Sequence, residues 1–202
     1  MDEGTRPQPG RRHFVVLSHT VPADGAFSLN DLPGSGGRVD VLARCVSSAL
    51  LTSNSIRRDA SVTVCILSAR RPVSVTVHGS SVRYLNPDER STAALIKNAL
   101  VKAAGLESGI SSPGIYFNHK GLSEVIEEAA GGRHCYSLSE TGERVDRLDT
   151  PSLVVLGDQI GMTAEEVSLL GRYGGREASL SKFVLQTDQC ITISNWMMDM
   201  AE

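Results

Sequence analysis

The chain predicts an α/β fold built on a largely parallel sheet. Three runs carry that expectation: FVVLSH at 14–19, SVTVCILS at 61–68 and LVVL at 153–156. Each is continuously apolar or β-branched, as strands covered on both faces tend to be. Between them lie segments with apolar residues at helical spacing, and strands alternating with helices place helices against a single sheet.

Residues 1–12, MDEGTRPQPGRR, hold two Pro and two Gly without apolar patterning and read as a disordered arm, so that one domain spans 13–202. After the first strand, FSLNDLPGSGG is a polar loop dense in turn residues. From Arg38, the residues Val39, Leu42, Val46, Ala49 and Leu50 recur as one helical face that ends in the segment from Asn54 to Asp59. The stretch VSVTVHGSSVRYL, Val73 to Leu85, alternates around Gly79-Ser80 like a hairpin, so the sheet mixes pairings. A second helix follows NPDERS, with Ala94, Leu95, Ala99 and Leu100 on its apolar face and Gly105 as its stop.

IYFN at 115–118 suggests a short strand, and Leu122 to Ala130 a third helix closed by Gly131-Gly132. CYSL at 135–138 is another strand, ending in the polar turn SETGE. After LVVL comes Gly157-Asp158, and Thr163 with Glu166 three residues on forms a capping box for the next helix. A polar loop around Ser179 to Lys182 precedes the last apolar segment. There Cys190-Ile191-Thr192-Ile193 alternates like a strand, a run too short to exclude a helix.

Lys plus Arg number 20 against 23 Asp plus Glu, a net charge of -3, so no global basic field advertises nucleic acid and an RNA partner must use a local patch. The run Phe14 to Leu17 is too short for a signal-peptide core, and no apolar stretch is long enough for a membrane span. A soluble, cytoplasmic protein is the expectation. Cys45, Cys65, Cys135 and Cys190 lack metal or redox spacing and read as reduced thiols, while the five His show no zinc pattern, so no metal is expected.

In open α/β sheets ligands sit beyond the carboxyl ends of strands, which selects Leu138 before SETGE and Gly157 after LVVL as ligand contacts. Gly157 alternatively serves only to permit a tight turn. Neither the dinucleotide glycine fingerprint nor the phosphate loop is present at that strand end.

The ordered set FSLNDLPGSGGRVDVLARCV, IRRD, VRYLNPDERSTAALIKNAL, LGDQIG and SLSKFVLQTDQCITI resembles the TrmY family of the SPOUT superfamily, tRNA pseudouridine N1-methyltransferases. The resemblance spans about residues 13 to 193. It implies a SPOUT-type fold with a C-terminal trefoil knot, a rare exception to unknotted topology. It also implies a homodimer, tRNA as substrate, and S-adenosylmethionine (SAM) held by the knot loops. Carried over residue by residue, the cofactor contacts would be Leu138, Gly157, the run Leu180, Ser181, Lys182, Phe183, Val184 and Leu185, and the backbone at Cys190. The missing phosphate motifs then make sense, because this cofactor has no phosphates.

For the reaction the resemblance implies, loss of the N1 proton calls for a carboxylate, and the resulting charge on the ring carbonyls for an arginine. Asp88, Arg38 and Asp40 are the candidates for catalysis, with Asp88 alternatively capping the second helix. Arg44, Arg57, Arg58, Arg83, Asn86, Glu89 and Arg90 are the candidates for RNA contact, the target base being extruded from its stack. The chain departs from the family at its end, where Ser194 to Asp199 reads SNWMMD in place of HNELDR.

Overall fold

The computed structural model describes residues 10–201. Eight strands form one sheet: β1 (Arg12–Ser18), β2 (Ala60–Ile66), β3 (Val73–His78), β4 (Ser108–Ser112), β5 (Ile115–Asn118), β6 (His134–Arg144), β7 (Ser152–Leu156) and β8 (Arg176–Ser179). Their order across it is β4-β5-β3-β2-β1-β7-β6-β8. From β2 to β8 all neighbours run parallel, whereas β3, β5 and β4 extend the other edge with antiparallel pairings.

The five helices are α1 (Val39–Leu50), α2 (Glu89–Ala103), α3 (Leu122–Ala129), α4 (Ala164–Gly171) and α5 (Thr187–Met200). They cover both faces and so divide the core in two. Phe14 and Val16 of β1 join the apolar residues of α1, α2 and α5. Val15 and Leu17, pointing the other way, join Leu122, Val125 and Ile126 of α3 and Leu170 of α4. This two-sided burial is why the first strand reads as an unbroken apolar run.

Several expectations change. Most of the expected arm, residues 1–12, lies outside the described residues, and its end is built into the sheet. The Gly10 N–H donates to Ser61 Oγ (3.2 Å), and Arg12 opens β1 with only 2% of its surface exposed. A charged residue tolerates that position because Asp59 (3.0 Å), Asp199 and the Asn195 carbonyl surround its guanidinium.

The hairpin from Val73 to Leu85 does not form. The His78 carbonyl accepts from both Ser81 N (3.1 Å) and Val82 N (2.8 Å), which turns the chain away from β3, and β5 takes the vacant edge. The SETGE segment is not a free turn but the bulged continuation of β6 along β8, with its register shifted between Leu138 and Glu143.

The Cys190–Ile193 segment lies in a helix and not a strand. Ile191, Ser194, Asn195 and Met198 are buried at positions i, i+3, i+4 and i+7, a helical stripe, while Thr192 and Ser194 hydrogen-bond the carbonyls four residues back. Along that stripe α5 packs on α1. The Asn195 side-chain amide donates to the carbonyls of Ser48 (3.0 Å) and Ala49 (3.3 Å), satisfying the end of α1.

Candidate active site

The parallel strands β1, β7, β6 and β8 all point their carboxyl ends at one edge of the molecule, and a cleft of about 630 Å³ opens there. Its floor is apolar: Val41 of α1, Leu138, Leu156, Ala178 and Leu180. Loop backbone from Gly157 to Met162 and from Phe183 to Thr187 forms the sides.

Of the expected cofactor contacts, Leu138, Gly157, Leu180, Ser181, Phe183, Val184, Leu185 and Cys190 line this cleft. Lys182 does not; its ammonium lies over the Phe183 ring at 5.0 Å. The Cys190 N–H is committed to Gln186 O at the start of α5 (3.0 Å), and its thiol is half-buried. Burial pushes that thiol up to about 11, Asp188 adding to the shift, so it stays protonated at neutral pH and is no competing nucleophile.

Gly157 is required by its own turn. Its backbone is not left-handed, but a Cβ there would collide with the backbone of Gly161, which closes a bridge to Asp158 and carries the turn's left-handed φ of +88°. The loop is then tied on two sides. Thr187 Oγ1 donates to Gly157 O (2.8 Å), and the buried Asp158 carboxylate accepts from His19 N (2.8 Å) and Ile160 N (2.9 Å). His19 also reaches Glu166 of α4 (2.9 Å). Burial works against protonation of His19, yet the hydrogen bonds and charges of Glu166 and Asp158 outweigh it and raise its pKa above 6.5.

The facing wall is charged. Arg38 precedes α1 with φ 70° and forks onto Asp40 through Nε (3.0 Å) and Nη2 (3.1 Å). Arg44, one turn on, reaches the same carboxylate (3.1 Å), Glu89 of α2 (3.2 Å) and Asp188 of α5 (3.6 Å). Arg38 and Arg44 line the cleft, while Asp40 is buried behind them. Burial raises the Asp40 pKa but its hydrogen bonds from Arg38 and Arg44 prevail, holding the carboxyl below the usual range and therefore ionised.

Asp88 is the N-cap of α2: its carboxylate accepts from Ser91 N (2.8 Å) and Ser91 Oγ (2.6 Å), and it does not line the cleft. The capping alternative thus accounts for it. Among the expected RNA contacts, Arg83, Asn86, Glu89 and Arg90 are exposed near the start of α2. Arg57 and Arg58 precede β2 and sit at the opposite end of the sheet from the cleft. There Arg57 forks onto Asp199 (2.8 and 2.6 Å) and Arg58 donates to Gly79 O (2.8 Å).

Ser139, Glu140, Thr141, Glu177, Gln186 and Thr187 complete the cleft and were not read from the sequence. Glu177 accepts from Ser139 Oγ (2.5 Å) and Thr141 Oγ1 (3.0 Å) across the bulged strand. The signal available was the polar run SETGE, which looks like any turn. No helix is long and apolar enough to cross a membrane, and no group of three or more His, Cys, Asp or Glu could hold a metal ion, among the described residues.

Residues 11–202 match the family model described as "Putative SAM-dependent RNA methyltransferase". The chain belongs to this family. It is 39% identical over 193 residues to the tRNA (pseudouridine(54)-N(1))-methyltransferase of Methanococcoides burtonii, covering 93% of this chain and 96% of that one. The protein of the same name from Haloferax volcanii is 39% identical over 195 residues, with 94% and 97% covered. Among solved structures, Archaeoglobus fulgidus Nep1 bound to S-adenosylhomocysteine shares the fold with a TM-score of 0.58 at 16% identity, covering 94% of this chain and 98% of that one.

Proposed function

We propose that this chain methylates N1 of pseudouridine at position 54 of tRNA, using S-adenosylmethionine. The observation that carries the reading is the two-sided cleft: apolar floor and loop backbone on one wall, the Arg38–Asp40–Arg44 cluster on the other. The residues fit the cofactor. An adenosine and a methionyl arm call for apolar contact and backbone hydrogen bonds, and the carboxylates of Glu140 and Glu177 among the lining residues suit a sulfonium cation. When bound, S-adenosylmethionine supplies an electrophilic methyl group.

The chain's own part is positioning and charge. The loop backbones at Gly157 and Leu180–Leu185 hold one reactant, with the exposed apolar side chains of Ile160, Phe183 and Val184 at the rim. Arg38 meets the ring carbonyls and stabilises the negative charge that appears there as the N1 proton passes to water at the open mouth of the cleft. Asp40, ionised and fixed, aims that guanidinium, and Arg44 holds the same carboxylate from the other side.

The same reading takes the described residues as one domain whose C-terminal segment is threaded as a knot; the bond from Thr187 to Gly157 and the seat of α5 on α1 support it. It also takes the enzyme as a cytoplasmic homodimer, in keeping with the exposed Ile160, Phe183 and Val184 at the cleft mouth. The deciding experiment incubates the protein and S-adenosylmethionine with T-loop transcripts carrying uridine or pseudouridine, followed by nucleoside mass spectrometry. N1-methylpseudouridine from the second transcript alone is the expected product. Modification of uridine, or of neither, defeats the assignment.

A further inference from the structure

Two non-glycine residues among the described residues adopt the left-handed backbone: Arg38 at φ 70° and Tyr84 at φ 62°. Arg38 belongs to the cleft, whereas Tyr84 has no part in anything above. A bulky side chain is strained in that region, and such strain persists only where surrounding structure fixes it. Core packing does not explain the residue, because Tyr84 is 77% exposed.

The backbone around it is braced. Val82 and Leu85 are buried on either side, as two feet of a bracket. Arg83 N donates to Pro113 O (3.3 Å), Thr92 Oγ1 donates to Asn86 O (3.3 Å), and Arg58 supports the approach through Gly79 O (2.8 Å). The bracket holds one aromatic face out to solvent. Arg83, its neighbour in the chain, and Arg90, in the first turn of α2, are both exposed, with no salt bridge to a carboxylate among the described residues. Five residues beyond Tyr84, Glu89 bonds Arg44 and joins this bracket to the charged wall of the cleft.

A rigid aromatic face flanked by uncommitted guanidinium groups has the chemistry of a nucleobase platform: the ring stacks on a base while the cations meet its phosphates. A lone ring offers an apolar peptide no groove. We infer that Tyr84 stacks on a nucleotide of the RNA substrate other than the one drawn into the cleft. The inference rests on the proposed function and adds to it a specificity-determining contact outside the cleft.

The test compares wild type, Tyr84→Phe and Tyr84→Asn; asparagine tolerates the left-handed backbone and removes the ring face. Each is titrated with a pseudouridine-containing T-stem-loop and assayed for KM and kcat, with S-adenosylmethionine affinity and light scattering measured in parallel. Tyr84→Phe should bind RNA within about twofold of wild type, and Tyr84→Asn about tenfold or more weaker, the loss appearing in KM while cofactor affinity holds. Tyr84→Asn binding RNA like wild type overturns the inference and leaves the proposed function standing. A loss in Tyr84→Phe equal to that in Tyr84→Asn overturns it in favour of the hydroxyl, and a changed assembly size overturns it in favour of a protein contact. Failure of the wild type itself on the RNA removes the function and Tyr84's role together.

Discussion

Two arginine–aspartate–arginine clusters stand at opposite ends of the same sheet. At the cleft, Asp40 is shared by Arg38 and Arg44; at the amino ends of β1 and β2, Asp199 is shared by Arg12 and Arg57. The composition is the same and the burial is inverted. Asp40 is buried while the Arg38 side chain is 42% exposed, so the carboxylate serves as a hidden anchor for a presented cation. Arg12 is buried and Asp199 is 38% exposed, so the cation is the anchor and the helix carrying the carboxylate is what is held. Which partner lies inside decides whether an ion pair presents a charge to the cleft or holds the fold.

The comparison breaks most visibly at Arg38. Arg38→Ala should lower kcat about a hundredfold, the order seen when one donor to a developing oxyanion is lost, with a smaller loss of unfolding free energy, about 1–2 kcal/mol, because the buried Asp40 loses one partner and keeps Arg44. A destabilisation in urea as large as the kinetic loss would make both clusters structural. Asp199→Ala, at the far end, should do the reverse. Breaking a buried pair costs about 3–5 kcal/mol, but Asp199 is partly solvated and Asp59 stays beside Arg12, so about 2 kcal/mol is expected. Denaturant melts that fail to separate Asp199→Ala from wild type would reduce the far cluster to surface decoration.

Gly157→Val sharpens the contrast within the cleft. Its side chain would drive the turn away from Gly161, and S-adenosylmethionine binding measured by calorimetry should weaken about tenfold, or about 1.4 kcal/mol. Retained affinity would mean the turn can shift without reaching the ligand.

The smallest effect is a pH dependence from the tie between His19, Asp158 and Glu166. The folded state raises the His19 pKa, so its stabilisation is complete below about 6.5 and fades as pH climbs through the raised value. The buried His13 and His78, lowered to about 3 and about 4, act oppositely, favouring the fold above about 6.5 and opposing it as pH falls toward those values. The difference in melting temperature between wild type and His19→Gln isolates the first effect. It should shrink between pH 6 and about 9, by an equivalent of under about 1 kcal/mol; a difference independent of pH would show that His19 acts only through its backbone.

The interior strands were legible because burial on both faces leaves an unbroken apolar run, as in FVVL and LVVL. The edge strands SGISS and REAS were not, since an edge strand need bury little and small or charged residues suit it. Arg12 was read as arm because charge in a strand makes sense only once Asp59 and Asp199 are beside it, and both are distant in sequence. Cys190–Ile193 was ambiguous for a different reason: four residues fit either period, and the stripe that settles it runs to Met198. Within the site, Leu138 and Gly157 followed from the rule of strand ends, whereas the 180–185 loop came from resemblance alone. Asp88 was legible in both roles, and the bonds from Ser91 show the cap.

The last helix has a mechanical consequence. Its 14 residues make a rod about 21 Å long, fastened at one end to the loop of Gly157 and at the other to Arg12. The cleft wall and the far lock are thus joined by one rigid element, so that fraying at the C-terminus is expected to weaken ligand binding at a distance. Occupancy of the cleft should then slow hydrogen exchange along the whole rod as far as its last turn, because ligand binding draws from the same opening equilibrium.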